Sequence, residues 1–425
     1  MTRSNPNPLS RGRSSGIPWL RLTAWISLAV AFVLGLIWQQ PDYTTLLQGA
    51  YPKGGITPQE QTPNQYQMSL KGEHYLVSIN ESQGYGGPML VASLINDRGR
   101  VEEVKLLQHK ETPGYVARFD ESQYYRQFAG KQVNDDFLLG EDIDALSGAT
   151  LTSRGLTSAV REGTHAAADP FGFPADWQEP QLVLGAKELA AFLLFVAAFM
   201  HKRLPRKHQA RFNQLLGVAS VVLIGYWLNS ALSMALVGSL LLGYIPSPQQ
   251  HLLWYIMLAG ALGAILFMGR NLYCSQLCPF HQIQRWLHRL SGLNLQLHPW
   301  LKKRLKQVTN TLLWLSLMLI FLSRTPAIGS YEPFSMLFSL DGLGVQWYIL
   351  PLSLFGAFLV SDFWCRLLCP LGRFLNYSLE ARARAMTRFK KGGRIAVRDA
   401  SQPQSTQRRP GYGNPITAEK RRSEA

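Results

Sequence analysis

Polar and apolar residues are separated into long blocks along this chain of 425 residues. Crossing a bilayer takes about 20 mostly apolar residues, so each long apolar block is a candidate spanning helix. Six such blocks occur, at residues 25–38, 183–200, 215–228, 252–268, 311–322 and 347–360. Several are short, but their flanks permit extension, and the pattern predicts about six spans. A shorter apolar run at residues 232–242 is expected to be interfacial or re-entrant.

The polar block between the first two apolar runs has the pattern of a folded domain. Residues 84–88 read Gly-Tyr-Gly-Gly-Pro, which indicates a tight turn entering a strand at residues 89–91. A second strand is expected at residues 101–107, followed by a polar loop at 109–114. Residues 151–168 are expected to be helical. This block therefore predicts an inserted α+β domain.

The net charge of +16 is distributed unevenly and orients the chain. Residues 39–182 hold 19 acidic side chains against 11 Lys and Arg, so the positive excess lies elsewhere. Basic residues cluster between the second and third runs and between the fourth and fifth, whereas the other short connections nearly lack them. By the positive-inside rule, both termini and the basic connections face the cytoplasm, and the polar domain is extracytoplasmic.

These features set the expected organisation: a multi-pass α-helical membrane protein with an inserted extracytoplasmic α+β domain. No small-x-small cleavage site follows the first run, which is therefore expected to remain as an anchor. The basic C-terminal tail has few aromatics and no nucleic-acid-binding motif, so a disordered segment near anionic lipid is expected, and nucleic acid is not. The expected segments are 1–22 (cytoplasmic), 23–40 (anchor), 41–180 (extracytoplasmic domain, core about 65–168), 181–378 (five-helix membrane domain) and 379–425 (tail).

The stretch Asp144-Ala145-Leu146-Ser147-Gly148-Ala149-Thr150 offers a site for a phosphate. Gly148 removes the side chain where a phosphate would approach, and Thr150 supplies a hydroxyl. The following helix would place that phosphate at a helix N-terminus, where free N–H groups and the dipole favour negative charge. Ordinary helix capping by Ser147 or Thr150 is the alternative.

Three motifs occur in an order that resembles a known domain. Gly-Tyr-Gly-Gly-Pro at 84–88, His-x-Glu-Thr-Pro-Gly at 109–114 and Asp-x-x-Ser-Gly-Ala-Thr at 144–150 are similar to the FMN-binding domain of Rnf and Nqr subunits and of NosR/NirI proteins. The resemblance covers about residues 65–168. It implies a covalent phosphoester between FMN and Thr150. The other implied FMN-site residues are Glu111 and Thr112 near the isoalloxazine, and Asp144, Ser147, Gly148 and Ala149 around the phosphate.

All four cysteines fall into two matching C-x-x-x-C-P units. Cys274 and Cys278 form one, Cys365 and Cys369 the other, and each follows an apolar run that ends on the predicted cytoplasmic side. Four soft thiolates suit one iron–sulfur cluster or one zinc ion, whereas disulfides are disfavoured in a reducing compartment. Iron–sulfur, and 4Fe-4S in particular, is preferred because Pro follows the second Cys of each pair and a flavin needs an electron source.

Histidines near the run ends are expected to be solvated rather than haem ligands, because they lie in connections and not within facing spans. They are His201, His208, His251, His281, His288 and His298.

Both parts together resemble NosR/NirI-type membrane proteins, over most of residues 25–375. Longer members continue into a ferredoxin-like domain, whereas this chain ends in a tail without Cys, so a separate donor is expected. The resemblance implies electron transfer, in the bacterial inner membrane, from a cytoplasmic donor or quinol to periplasmic FMN and on to an extracytoplasmic acceptor. A flavin transferase is an expected maturation partner. The alternative is a redox sensor or assembly factor for a periplasmic reductase; a stand-alone enzyme is less expected.

Overall fold

A computed structural model describes most of the chain. The described residues are 18–38, 42–59, 62, 64–84, 86–111, 113–146, 149–173, 182, 184–249, 251–293, 295, 298–339 and 345–400. The chain divides into two units, Met1–Leu379 and Glu380–Ala425.

The polar domain is built on a five-stranded antiparallel meander in which each strand pairs with the next. Strands that follow one another in the sequence pair because short turns connect them. Gly99, for example, adopts a φ of +70° in the turn between the last two strands. The strands are β1 Gly55–Pro58, β2 Gln65–Leu70, β3 Glu73–Gln83, β4 Pro88–Ile95 and β5 Val101–His109.

Both faces of this sheet are covered, which explains why β4 reads as a nearly continuous apolar run. Met89 and Val91 pack on one face, beneath α4 (Thr150–Ala166), while Leu90 and Ala92 pack on the other, beneath α2 (Tyr43–Ala50). The expected strands and helix are found, with ends that differ by a few residues. This confirms the expected α+β domain and shows that its sheet is antiparallel.

The remainder of the first unit is helical. Several of its helices continue directly into π-helical turns, at Val221–Trp227 and Ala264–Met268, and another π turn lies at Tyr273–Leu277. The further helices are α1 Pro18–Trp38, α3 Pro113–Glu121, α5 Ala186–Met200, α6 Arg206–Ser220, α7 Met234–Leu242, α8 Leu252–Gly263, α9 Pro279–Ser291, α10 Pro299–Ser323, α11 Phe334–Ser339, α12 Gln346–Leu359, α13 Phe363–Leu367 and α14 Pro370–Ala400.

Two described helices are long and apolar enough to cross a membrane, Trp19–Trp38 within α1 and Pro299–Ser323. The other predicted spans correspond to shorter apolar helices, such as Leu252–Met268 and Gln346–Leu359. Six spans are therefore not confirmed and remain a prediction. The other apolar helices are shorter than a span for local reasons. Helices α6 and α8 pass into π turns, α6 also begins with a polar turn, and α12 contains Pro351.

The two long helices pack side by side and in the same direction. The Trp314 indole N–H donates to Ser27 Oγ at 3.0 Å, and further along both helices the rings of Phe32 and Phe321 meet edge-on at 5.5 Å. Gly35 permits the approach, because a Cβ there would overlap the Phe321 carbonyl oxygen. The C-terminal ends of α1 and α10 therefore lie at the same end of the structure.

The short apolar run at 232–242 forms α7, which is buried on nearly all sides. Its N-terminal amide, at Met234, donates to the carboxylate of Glu332 at 2.9 Å. Helix α14 differs from expectation, because it runs to Ala400 and so enters the tail expected to be disordered from residue 379. Residues 401–425 lie outside the described residues.

Candidate functional site

A cavity of about 370 Å³ opens beside the N-terminus of α4, and Thr150 forms part of its wall. Cavities of about 300–1,000 Å³ are typical of cofactor sites. Ala149 is the N-cap residue of α4, and among the described residues no side chain caps this end of the helix. The first turn of a helix presents N–H groups that suit a phosphate, and the cavity is large enough to fit a flavin.

Close packing behind the cavity fixes the turn that precedes β4. A Cβ at Gly155 in α4 would lie 2.7 Å from the Gln83 carbonyl oxygen and 2.9 Å from Gly84 Cα. A Cβ at Gly84 would overlap the Glu111 carboxylate. Glycine at both positions is thus required by contact between the turn, the helix and the loop after β5.

Glu111 joins the turn to α4. Its carboxylate is 1% exposed and accepts hydrogen bonds from the Gly86 amide at 3.0 Å and from the Thr152 hydroxyl at 3.2 Å. Thr152 in turn lines the cavity. Glu111 therefore supports the cavity wall from behind. Its position near the isoalloxazine remains a prediction.

The other predicted FMN residues are only partly brought together. Ala149 and Thr150 line the cavity. Asp144 is exposed, and its amide donates to Gln127 Oε1 at 2.8 Å. Thr112, Ser147 and Gly148 lie outside the described residues.

Sequence reasoning missed the charged residues of the cavity, because they come from three separate helices. Arg118 of α3, Arg154 of α4 and Lys187 of α5 bring positive charge to its wall, and Glu188 adds a carboxylate. Burial lowers the pKa of Arg154, and the nearby Glu188 opposes that shift. The excess of cations suits a phosphate or an electron-rich flavin ring.

The helical part supplies the other wall of the cavity. Its residues there are mostly aromatic or apolar, as expected for a surface that faces a planar ring. They are Tyr226, Trp227, Leu228, Asn229, Leu253 and Phe338. No motif indicated them, since most of them lie in or next to runs that are also typical of membrane spans.

His251 contradicts the expectation of a solvated histidine. It is 3% exposed, and its Nε2 makes no hydrogen bond within the described part of the chain. Its nearest polar surroundings include Gln83 and Arg154, so it lies where the helical part meets the FMN-type domain.

The two cysteine units are brought into one region. Cys278 and Cys369 are buried and Cys274 and Cys365 are half-buried. Burial raises the pKa of Cys274 to about 12, and Cys369 is within electrostatic reach of both Cys274 and Cys365. Thiols in such surroundings become thiolates when a cationic centre binds them.

This donor set fits an iron–sulfur cluster chemically, and it would fit zinc as well. Within the described residues, no group of three or more His, Cys, Asp or Glu is arranged to hold a single metal ion.

Polar contacts fix the second cysteine unit. Gln284 of α9 accepts from the Trp364 amide at 2.9 Å and donates to Cys365 Sγ at 3.4 Å. The Gly372 amide donates to Cys369 Sγ at 3.2 Å. Donors aimed at sulfur tune the charge that a bound cluster carries on its ligands.

His281 also departs from the expectation of a solvated histidine. Its side chain is 14% exposed, and its Nδ1 lies 3.7 Å from Cys365 Sγ and 3.5 Å from Asp362 Oδ1.

The polar domain contacts the C-terminal end of α10, whereas the second cysteine unit contacts the middle of this helix. Thr309 Oγ1 lies 3.0 Å from the Leu367 carbonyl oxygen, beside Cys365 and Cys369, whereas Lys110 Nζ lies 3.5 Å from the Ser323 carbonyl oxygen. Fourteen residues of helix separate these contacts, which corresponds to about 21 Å at 1.5 Å per residue.

Helix α7 and its neighbours fill this separation. Just before α7, the Leu232 amide donates to the hydroxyl of Tyr273, the residue that precedes Cys274, at 2.8 Å. In the second half of α7, the Ser239 hydroxyl donates to the Gly86 carbonyl oxygen at 3.0 Å. A second cavity of about 40 Å³ beside the flavin-type cavity is lined by Glu332.

Aromatic packing continues from this second cavity to the cysteines. Phe334 lines the cavity, and its ring lies 5.5 Å from that of Phe280, which lies 6.1 Å from Trp364. Trp364 precedes Cys365, so packed side chains connect the two sites.

Comparison with known proteins agrees with both sites. Residues 84–165 match the FMN-binding domain, and residues 250–306 and 348–385 match the 4Fe-4S binding domain. The second match contains all four cysteines. Together the two matches support FMN and an iron–sulfur cluster as the cofactors.

Among known proteins, NirI of Paracoccus denitrificans is 31% identical over 46% of this chain and 32% of its own length. One component of the proton-translocating ferredoxin:NAD(+) oxidoreductase complex of Clostridium ljungdahlii is 32% identical over 19% of this chain and 47% of its length. One component of the ion-translocating oxidoreductase complex of Vibrio parahaemolyticus is 32% identical over 23% of this chain and 51% of its length.

The fold and the two sites thus define a flavoprotein of electron transport with a 4Fe-4S binding domain. More particularly, the chain is a NosR/NirI-like FMN-binding protein, which confirms the resemblance inferred from its motifs. The matches span about a third to a half of the length of these relatives.

Proposed function

We propose that this protein carries electrons across the bacterial inner membrane to FMN attached covalently to Thr150. The donor is cytoplasmic or a quinol, and the electrons enter through an iron–sulfur site on the four cysteines. FMN supplies one- and two-electron redox chemistry when bound. The acceptor is an extracytoplasmic protein, in support of a periplasmic reductase. The electron-transfer role itself is supported by the two domain matches and the relatives.

The observation that carries this proposal is the separation of the two sites along α10. About 21 Å of a helix apolar enough to span a membrane lies between the cysteine contacts and the domain contacts. The hydrocarbon core of a bilayer is about 30 Å thick, so this separation covers about two thirds of it and supports sites that lie toward opposite faces.

The exposed surface of the helical part supports a membrane location. Outward-facing apolar residues on α1, α6 and α12 are 37–79% exposed. They include Trp25, Ile37, Leu215, Tyr348 and Phe355. Contact with lipid explains so large an exposed apolar surface, whereas contact with water would disfavour it.

The parallel packing of α1 and α10 agrees with a first and a fifth span that both run outward. Together with the basic connections, this supports cytoplasmic termini and a periplasmic FMN domain, with six spans in all.

Covalent attachment is supported by the position of Thr150 in the cavity wall at the start of α4. A tether is useful outside the cytoplasm, where a released FMN would be lost. Expression with a flavin transferase should give a band that fluoresces yellow on a denaturing gel, and Thr150→Ala should abolish it. Leu151→Ala, which changes a neighbouring wall residue, is the matched control. A fluorescent Thr150→Ala band would exclude this attachment site.

The cysteine site is tested separately by metal analysis of anaerobically purified protein. We expect iron and acid-labile sulfide in the wild type, and loss of both in Cys278→Ser. The exposed Ser275→Ala, within the same unit, should retain them. Zinc in place of iron would overturn the iron–sulfur assignment and leave the flavin test unaffected.

Net electron flux distinguishes a conduit from a redox sensor. In sealed vesicles, a reductant restricted to the cytoplasmic side should reduce the flavin in the wild type and not in Cys278→Ser. Reduction that is equally fast in both proteins would contradict entry through the cysteines, and no reduction with any donor would favour the sensor.

A further inference from the structure

The small cavity of about 40 Å³ lies directly beside the flavin-type cavity that Thr150 lines. Three side chains, those of Tyr115, Asn229 and Phe338, belong to the walls of both cavities. A water needs about 10–15 Å³ of such volume, so the small cavity has room for water. A water in it would lie close to an occupant of the flavin-type cavity.

The wall of the small cavity also has the polar groups that hold a water. Ser233 is 7% exposed, and its hydroxyl makes no hydrogen bond within the described part of the chain. Ser330 and Gln346 contribute further polar groups to the same wall. A buried hydroxyl without a partner costs free energy unless a water satisfies it. The wall therefore favours a bound water beside Ser233.

Glu332 supplies a carboxyl group to this wall. It is 3% exposed and lies in the connection between α10 and α11. The Met234 amide donates to its Oε1 at 2.9 Å, and the Ser330 hydroxyl donates to its Oε2 at 2.5 Å. Each carboxylate oxygen has two lone pairs, so these bonds leave further hydrogen-bonding capacity. The carboxyl group is thus held in place and is still able to bind a cavity water.

Glu332 is also suited to exchange a proton. Burial raises its pKa to about 7, so both protonation states are populated near neutral pH. Two other titratable side chains lie within its electrostatic reach, Tyr331 and Cys369, and both bond elsewhere. The Tyr331 hydroxyl donates to the Leu368 carbonyl oxygen at 2.6 Å. Cys369 Sγ accepts from the Gly372 amide at 3.2 Å.

We propose that Glu332 delivers protons to the flavin-type cavity through a water held in the small cavity. The inference rests on the proposed function, because it requires a flavin in that cavity and electrons that reach it. The O–H bond of the Glu332 carboxyl group breaks, and its proton moves to the water. That water passes one of its own protons into the flavin-type cavity. The carboxylate then regains a proton from solvent, so Glu332 is unchanged after each cycle and carries no electron.

The position of Glu332 on the cysteine side of the flavin-type cavity suits this role. Phe334 lines the small cavity and begins the aromatic packing that reaches Trp364, beside Cys365. Each electron that arrives from the cysteines adds negative charge on this side. Charge without a nearby counter-charge is costly in a buried site. A proton delivered from the same side neutralises it over a short distance.

The test uses the full-length, flavin-loaded protein in nanodiscs and infrared difference spectra recorded while dithionite reduces the flavin. The wild type should show a carbonyl band from a protonated carboxyl group whose protonation changes during reduction, and the band should shift in D₂O. Glu332→Gln should lose this band. Glu121→Gln is the matched control, because it removes an exposed carboxylate of α3 that lines neither cavity, and it should keep the band.

The rate of flavin reduction gives a second readout. It should fall at least about tenfold in Glu332→Gln, because a positioned proton donor contributes about a hundredfold or more and solvent provides a slower route. Glu332→Asp retains a carboxyl group and should recover part of the rate, which a purely structural defect would not. Ser233→Ala keeps Glu332 and removes one partner of the water, so it should slow reduction about two- to tenfold. This variant tests the proposal even if Glu332→Gln does not fold.

Two results would overturn proton delivery by Glu332. One is a carboxyl band that persists in Glu332→Gln, together with a rate equal to that of Glu121→Gln. The other is a band that disappears in Glu188→Gln instead, which would assign the proton to a carboxylate of the flavin-type cavity itself.

Dithionite separates this proposal from the proposed function, because it is small and reduces the flavin without the cysteines. If dithionite produces the Glu332 band but a reductant on the cytoplasmic side does not reduce the flavin, the conduit is wrong and proton delivery stands. If the cytoplasmic reductant reduces the flavin and the Glu332 band is absent, proton delivery is wrong and the conduit stands.

Discussion

Replacing Gly155 by alanine tests whether close packing of α4 on the preceding turn shapes the flavin cavity. The new Cβ would lie 2.7 Å from the Gln83 carbonyl oxygen, 2.7 Å from Met89 Cε and 2.9 Å from Gly84 Cα. Ordinary contacts begin near 3.4 Å, so the turn must move by about 0.5–0.7 Å. Two of the three atoms belong to the main chain and cannot rotate away.

The expected cost follows from two opposing effects. Overpacking of this kind costs about 2–3 kcal/mol when main-chain atoms must move. Alanine recovers about 1 kcal/mol, because glycine is a poor helix former. The net destabilisation is about 1–2 kcal/mol, which corresponds to about 2–8 °C in apparent Tm. Since the displaced turn is joined through Glu111 to Thr152, flavin loading should fall too.

The assay is thermal unfolding of the detergent-purified protein followed by tryptophan fluorescence, together with flavin absorbance per chain. Gly49→Ala is the matched control, because Gly49 lies in α2 and a Cβ there meets nothing within 4 Å. That control should keep its flavin and become slightly more stable. The reasoning is refuted if Gly155→Ala is stabilised as much as Gly49→Ala and binds as much flavin.

Three further substitutions give distinct outcomes. Glu111→Ala removes the acceptor of two buried donors and should destabilise the domain by about 2–4 kcal/mol. Glu111→Gln should lose less stability, and equal losses in denaturant titrations would contradict this. Tyr273→Phe leaves the buried Leu232 amide without its acceptor and should cost about 1–3 kcal/mol; an unchanged apparent Tm would contradict the bond. Burial raises the pKa of Glu332 to about 7, so its protonated form stabilises the fold fully below pH 4.5 and that contribution disappears as the pH rises through 7. The fall in apparent Tm between about pH 5.5 and about pH 8.5 should therefore shrink in Glu332→Gln, by about 2 kcal/mol in stability, and an unchanged fall would exclude Glu332 as its cause.

The local chemistry of the two sites could be predicted from the sequence. Thr150 at the start of a helix and the paired cysteines are short-range patterns, and spacing along the chain determines them. The order of strands was also accessible, because an antiparallel meander joins neighbours through short turns.

The cavity wall was not accessible in the same way. Lys187 lies in α5 and Phe338 in α11, and only the folded chain brings these residues to Thr150. The role of Glu111 as a link between the turn and α4 likewise depends on contacts between positions 25 and 41 residues apart. No periodicity encodes such pairs.

The sequence by itself determined which domain types this protein carries, because short motifs of neighbouring side chains mark the FMN-binding and the 4Fe-4S binding domain. The tertiary structure decided how the sites are related. Helix packing brings the second cysteine unit to the middle of α10 and the FMN-binding domain to its C-terminal end, and the buried α7 lies between them. Such distances depend on how helices pack against one another, and that packing is settled by long-range contacts that a linear pattern does not contain.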